Sequence, residues 1–402
     1  MTLTPDALVI GAGPAGLMAA EVLSQGGASV LLAEAMPTPA RKFLMAGKSG
    51  LNLTKAEPLE MFALRFSLGS GGCLPPHPRG YFCTKDGAFG PEQVMDWARG
   101  LGIGLFTGST GRVFPVGMKA SPLLRAWLAR LRGQGVELRT RWRWVGLEQG
   151  FRFETAQGVR HVRPGVAVLA LGGASWPRLG SDAAWVPVLR EAGVPVVDFR
   201  PANMGFRVAW SERMARHFGR AVKGTRIRAG DLVTRGEWVI GRCGIEGGAI
   251  YEVAAAIRDG APAVVDLAPD LDHGALAGRF ARPRGRLSLG NWLRKVLGDP
   301  VKVALLLEWG RPWPGDPDGW ARRAAALPLD HAGPMGLERA ISSAGGICWS
   351  GIGPGLELTA LPGTFVAGEM LDWEAPTGGY LLTGCLATGR IAGAAALERL
   401  RG

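Results

Sequence analysis

Gly11, Gly13 and Gly16 follow the apolar run Ala7-Leu8-Val9-Ile10 in the order Gly-x-Gly-x-x-Gly, and an acid, Glu34, closes the next apolar run at Val30-Leu31-Leu32-Ala33. These residue types in this order can hold a dinucleotide. Gly11 allows a sharp turn after a buried strand, and Gly13, with no Cβ, lets the backbone approach a pyrophosphate. Gly16 lets the helix opened by Pro14 and Ala15 pack close to that strand. The free N–H groups and positive dipole end of the helix face the phosphates. Glu34 can accept a hydrogen bond from a ribose 2′-OH, which favours the unphosphorylated ribose of NAD or of the AMP half of FAD. A Gly-x-Gly-x-x-Gly alone says little in a chain of 62 glycines. The strand before it, the helix after it and the acid about 20 residues on make it specific.

Three further groups could act on the same ligand. The polar stretch from Arg41 and Lys42 to Asn52 and Thr54 contains Gly47, Lys48, Ser49 and Gly50 and reads as a loop. It could fold over a pyrophosphate and ribitol, or be plain surface. Val166 to Leu171 is an apolar strand that stops at Gly172-Gly173; buried on both faces, it belongs in a parallel sheet beside the first strand. Gly363 to Ala367 is another strand, ending in Gly368-Glu369, and Thr377-Gly378-Gly379-Tyr380 opens a helix-like run from Leu381 to Leu400. An acid at a strand end beside a Gly-rich helix start puts an acceptor and free N–H donors at one spot. An NAD dehydrogenase has no need of this second device. A flavin has: Glu369 can hold a ribitol hydroxyl, the helix start can stabilise negative charge on the reduced ring, and Tyr380 can reach the ring edge. No catalytic acid or base stands out. His77, His161, His217, His273 and His331 sit in unrelated contexts and read as structural or exposed, while Asp372 and Glu374 read as solvated loop carboxylates near the ring.

These groups need a scaffold. Pro91 to Gly100 and Ser121 to Arg132 carry helical periodicity. Val136 to Arg139, Trp142 to Leu147, Phe151 to Thr155 and Val159 to Val162 alternate as strands, which predicts an antiparallel meander. From about Asp182 to Arg339 the chain mixes strand-like pieces such as Trp238-Val239-Ile240 with helical ones at Ile250 to Ile257, Leu287 to Leu297 and Val301 to Trp309. Gly351-Ile352-Gly353-Pro354-Gly355 lacks both strand and helix context and reads as a loop.

The composition is that of a globular chain of two or three domains: 402 residues, 47% hydrophobic and 20% charged. Cys73, Cys83, Cys243, Cys348 and Cys385 show no paired or metal-ligating spacing, so reduced thiols and no metal are expected. No apolar run approaches the ~20 uninterrupted residues of a membrane span, and no targeting segment is visible, which predicts a cytoplasmic protein without a membrane partner. The net charge of +12 invites a polyanion, yet only eight of the 46 basic residues are Lys and the Arg residues are spread along the chain. The densest stretch, Arg216 to Arg228, alternates with apolar residues and reads as a solvated strand face, so no nucleic-acid partner is expected. Trp142 and Trp144 could stack bases, but packing is their ordinary role. Oligomeric state has no sequence signal.

The chain resembles the HI0933-like family of two-domain flavoproteins, related to BaiN-type flavin reductases and aminoacetone oxidase-like oxidoreductases. The resemblance runs through most of the length. It rests on the opening fingerprint with Glu34, Arg41-Lys42, Gly111-Arg112-Val113-Phe114-Pro115 before Lys119-Ala120-Ser121, Ala170-Leu171-Gly172-Gly173-Ala174-Ser175, Ala367-Gly368-Glu369 and Thr377-Gly378-Gly379-Tyr380. It implies an α/β fold: an FAD-binding, Rossmann-like (glutathione-reductase-like) domain from residues 1–182 and 340–402, with an inserted α+β domain of β-barrel and helical parts at 183–339. The implied activity is hydride transfer between bound FAD and a small-molecule substrate, with transient NAD(P)H or oxygen as second substrate. Where the family reads Gly-Gly-Gly-Arg-Cys-Asn-Val-Thr-Asn, this chain has Gly50 and Leu51 in place of the Arg and Cys, while Asn52 and Thr54 carry over. Two alternatives stay open: a tRNA-associated flavoprotein using the basic surface, and a plain NAD-dependent dehydrogenase.

Overall fold

The structure is a computed structural model that describes residues 2–47, 50–67, 82–84 and 87–402. Lys48, Ser49, Cys73 and His77 lie outside the described residues. The chain divides into two compact units, residues 1–200 with 341–402 and residues 201–340.

Unit 1 is built on a five-stranded parallel sheet. In chain order its main elements are β1 (Ala7–Ile10), α1 (Pro14–Gln25), β2 (Val30–Glu34), α2 (Arg41–Ala46), α3 (Ala120–Gly133), β3 (Glu137–Thr140), β4 (Val166–Leu169), β5 (Thr364–Val366) and α4 (Tyr380–Arg401). The sheet order is β5-β4-β1-β2-β3. All four residues of β1 and of β4 are buried, as strands covered on both faces require. Helix α4 lies on α1 through small residues. A Cβ at Gly389 would stand 2.2 Å from the Ala15 carbonyl oxygen, and one at Gly393 would stand 3.0 Å from that of Ala19. By length and composition α4 could cross a membrane, but more than half of its most apolar stretch is buried within this unit. Helix α3 joins α1 through Glu21, which accepts from Trp127 Nε1 at 2.6 Å and from Arg130 Nη1 at 2.8 Å.

Three local expectations change. Glu137–Thr140 is not part of the meander but pairs in parallel with β2. As an edge strand it alternates half-buried with exposed residues, a pattern indistinguishable in sequence from the meander strands. The meander proper is Arg143–Gly146, Phe151–Thr155 and Gly158–Val162, with Thr2–Leu3 parallel to the last. The start of the expected loop, Arg41 to Ala46, is helical, because Arg, Lys, Leu, Met and Ala are strong helix formers whose signal the glycines after them obscured. Cys348 is disulfide-bonded, which corrects the expectation of five reduced thiols, an expectation drawn from the lack of paired spacing among them. Cys83, Cys243 and Cys385 are free.

Unit 1 retains residues 183–200, beyond the expected boundary at 182. Trp185 and Leu189 bury into its core, and the strand Val196–Ala202 pairs with Ser342–Ile347. Unit 2 has two four-stranded sheets, one of Phe206–Arg207, Gly244–Glu246, Trp238–Gly241 and Ala221–Val222, the other of Leu232–Arg235, Arg226–Ala229, Ala263–Asp266 and Leu327–Pro328. Its own core gathers Phe206, Ile227, Trp238, Leu293 and Leu305 with the helices Gly248–Arg258, Leu289–Leu297 and Pro300–Trp309. Along Arg226–Ala229 the apolar residues point inward and Arg228 is exposed, as a solvated strand face requires.

Candidate functional site

A cleft in unit 1 opens at the carboxyl ends of β1, β2, β4 and β5, where ligands of open parallel sheets bind. Gly11, Gly13, Pro14, Ala15, Glu34, Arg41, Lys42, Gly172, Gly368 and Glu369 all line it. The glycines of the fingerprint differ in what forbids a side chain. Gly11 has φ +102°, and a Cβ there would sit 2.2 Å from the Ala170 carbonyl oxygen. A Cβ at Gly16 would lie 1.8 Å from the Gly11 carbonyl oxygen, so this residue sets the approach of α1 to β1. A Cβ at Gly13 would meet no protein atom within 4 Å. Protein packing does not demand glycine there; it leaves open the space before the first turn of α1. That turn has no side-chain cap, so its N–H groups and dipole are left for a ligand.

Glu34 stands at the end of β2 and accepts from the Ala12 N–H at 3.0 Å and the Met36 N–H at 2.8 Å. Burial pushes its carboxyl above the usual range, against the pull of these N–H groups and of Arg41 and Arg143. Each carboxylate oxygen keeps a second acceptor site. Arg41 begins α2 and donates from Nη1 to Thr38 Oγ1 at 3.2 Å, while its Nε is buried without a partner. Ser181 Oγ, also on the cleft wall, is likewise buried and unpaired. Lys42 Nζ forms an ion pair with Glu369 and donates to Ser175 Oγ at 2.5 Å, and the other Glu369 oxygen accepts from the Ser343 N–H at 3.1 Å. The acid expected to hold a ribitol hydroxyl is thus already held by a cation and an amide. Gly173 lies behind it: a Cβ there would stand 2.0 Å from Ser343 Oγ.

Of the remaining expected residues, Thr54, Thr377, Gly378, Gly379 and Tyr380 gather elsewhere in unit 1, at the start of α4. Gly379, at φ +90°, is pressed against Thr54, whose Cα would be 2.6 Å from an added Cβ; Gly378 precedes it at φ +127° and Thr377 is half-buried. Thr54 Oγ1 accepts from Thr383 Oγ1 at 2.8 Å. Tyr380 stacks on Phe62 with ring centroids 4.6 Å apart and donates to Glu57 Oε1 at 2.6 Å. Burial and the Glu57 carboxylate push its phenol well above the ordinary value. Asn52 Oδ1 is buried and unpartnered. Asp372 and Glu374, read as solvated loop acids, are buried, since this loop runs through the core beside Trp373 rather than over the surface.

Sequence reasoning did not assign to the cleft Trp142, Trp144, Ser175, Ser181 or Cys385, although all but Ser175 line it. The two tryptophans were visible two residues apart in a strand-like stretch, a spacing that puts both on one face. Cys385 is half-buried on the cleft wall near Glu369, and desolvation pushes its thiol up to about 12.

The sequence profile described as the HI0933-like protein Rossmann domain matches residues 5–395. The chain is 27% identical over 424 aligned residues to a 3-dehydro-bile acid delta(4,6)-reductase of Clostridium scindens, covering 97% of this chain and 98% of that one. It is 24% identical to a ribosomal RNA dihydrouridine synthase of Escherichia coli, over 93% of this chain and 94% of the relative. Among solved structures, the open conformation of a flavocytochrome c3 fumarate reductase superposes with a TM-score of 0.51 at 18% identity, covering all of this chain and 79% of that one. The Mycobacterium smegmatis Sdh1 complex does so with a TM-score of 0.51 at 15% identity, over all of this chain and 69% of the other. At these identities the structural likeness speaks for the fold alone.

Proposed function

The chain belongs to the HI0933-like family and is an enzyme of the flavin-dependent oxidoreductase kind, and from that premise we propose that it binds FAD in the unit 1 cleft and reduces or oxidises a small organic substrate. The observation that carries the reading is the vacancy of protein atoms around Gly13, with an uncapped helix start behind it and the orphaned Arg41 Nε and Ser181 Oγ beside it. In this reading the N–H groups of the first turn of α1 take the pyrophosphate and Glu34 takes the adenosine ribose hydroxyls. Arg41 supplies the countercharge, and Lys42 with Glu369 orients the ribitol. Thr377, Gly378, Gly379 and Tyr380, with Asn52 and Thr54, serve the ring end. Bound flavin supplies the hydride chemistry. NAD(P)H binds transiently or oxygen reoxidises, since one dinucleotide fingerprint is present.

An absorbance spectrum of the purified protein tests the cofactor: the reading expects flavin bands that bleach with NADH or NADPH under anaerobic conditions. A colourless protein that takes up no FAD would overturn it. A second reading, reduction of a base in RNA, is favoured by the dihydrouridine synthase relative together with the net charge of +12. It expects filter binding to bulk tRNA that weakens steeply with salt.

A further inference from the structure

Unit 2 holds a concavity of its own, walled by the short helix Glu212–His217, by Leu289–Leu297 and by Pro300–Trp309. Its walls are pinned by side chains. The N–H and Oγ of Ser211 both donate to Glu308 at 2.7 Å, Ser288 Oγ accepts from the Asn291 N–H at 3.3 Å, and Asp299 accepts from the Val301 N–H at 2.7 Å. The face of Pro300–Trp309 turned to the concavity is apolar, with Val303, Ala304 and Leu307. Arg216, Arg220 and Arg294 stand around this floor.

These arginines differ from several others in the unit. Arg235, Arg258, Arg322 and Arg339 pair with Asp270, Asp259, Asp318 and Glu246. Among the described residues no carboxylate or carbonyl engages the guanidinium groups of Arg216, Arg220 or Arg294. His217 adds an independent sign of a ligand: it lines the concavity, is 6% exposed, and its Nδ1 is buried with no hydrogen-bond partner. Burial first, then Arg216 and Arg220, hold its imidazole below the ordinary pKa. Two arginines thus act on His217 against one acid, Asp299, which also caps the helix Pro300–Trp309.

We infer that this concavity binds a phosphate group, carried either by an RNA backbone or by a small phosphorylated molecule. Two guanidinium forks from one segment, Arg216 and Arg220, and a third, Arg294, from the helix Leu289–Leu297 suit the several oxygens of a tetrahedral phosphate, over an apolar floor that strengthens the attraction. The imidazole of His217, on the same lining, has an unsatisfied ring nitrogen to offer. The inference does not depend on the flavin reading, because every residue in it belongs to unit 2.

The test uses the full-length, FAD-supplemented protein with isotope-labelled histidine, whose ring NMR signals number few enough to follow singly. The His217 signal is identified by its loss in His217→Gln. Two probes are titrated at low salt: inorganic phosphate, and a single-stranded RNA 12-mer. The expected result is a saturable shift of the His217 signal, weakened at least about tenfold in the Arg220→Gln/Arg294→Gln variant. Both arginines are exposed and outside the cofactor cleft, and unchanged signals from the other histidines report that the variant folds. A shift by RNA at concentrations where phosphate has no effect assigns a polynucleotide as the source. A shift by phosphate that RNA does not reproduce assigns a small phosphorylated ligand. If neither probe moves the His217 signal, or both move it equally in the double variant, the inference is overturned.

Discussion

A methyl group added at Gly16 would lie 1.8 Å from the Gly11 carbonyl oxygen, whereas one added at Gly13 would touch nothing in the protein. Gly16→Ala must therefore force α1 off β1, at a cost of about 3 kcal/mol or more, since even tolerated overpacking costs 1–3. Gly13→Ala, at an ordinary φ of −82°, should leave the urea midpoint of the apoprotein unchanged. It should lower the flavin content of the purified protein at least about tenfold, because its methyl group occupies ligand space. Equal loss of stability in both variants would refute this division of roles. Cys385 makes a second case at this scale. Its thiol stays protonated until about pH 12, and the thiolate is the reactive form. Iodoacetamide labelling followed by peptide mapping should modify the exposed Cys83 and Cys243 while sparing Cys385, with no gain at Cys385 between pH 7 and 9.

At the scale of elements, contacts with α4 and α3 hold α1, the helix that opens on the cleft, in place. Gly389→Ala would drive a methyl group to 2.2 Å from the Ala15 carbonyl oxygen, and a loss of about 1–3 kcal/mol is expected in urea unfolding. Arg130→Ala leaves Glu21, nearly fully buried, without its cation, and should cost about 3 kcal/mol. The sequence made the continuous, buried elements legible: β1, α1, β2, β4 and α4 all follow from unbroken apolar or small-residue runs. It was less informative where burial is one-sided or the contact is long-range. Edge strand β3 alternates like the meander beside it, and α2 was hidden by the glycines that follow it. Nothing local to Tyr380 indicates that it meets Phe62 and Glu57, nothing local to Thr54 that it meets Thr383 and Gly379, and nothing local to Glu369 that it meets Lys42 from 327 positions away.

For the whole molecule, charge is unevenly distributed. Residues 201–340 contain 21 Lys and Arg against 15 Asp and Glu, nearly half of the basic residues in about a third of the chain. With a pI near 10.1, the protein should be retained on a heparin column at pH 8 and elute progressively earlier as ionic strength rises. Passage without retention at low salt would mean that its surface charges are internally neutralised. The other whole-molecule property is the order in which the parts of the cleft are synthesised. Gly13 and Cys385 share one wall-to-wall space, yet β5 and α4 emerge from the ribosome only after all of residues 201–340. The four strands β4-β1-β2-β3 must wait, with the apolar edge of β4 unpaired, while an entire second unit is translated. Completion of the cleft is thereby a late event, reached only by chains that have been made through the last strand and helix of the sheet, and a prematurely terminated chain is left with an open β4 edge as an aggregation hazard.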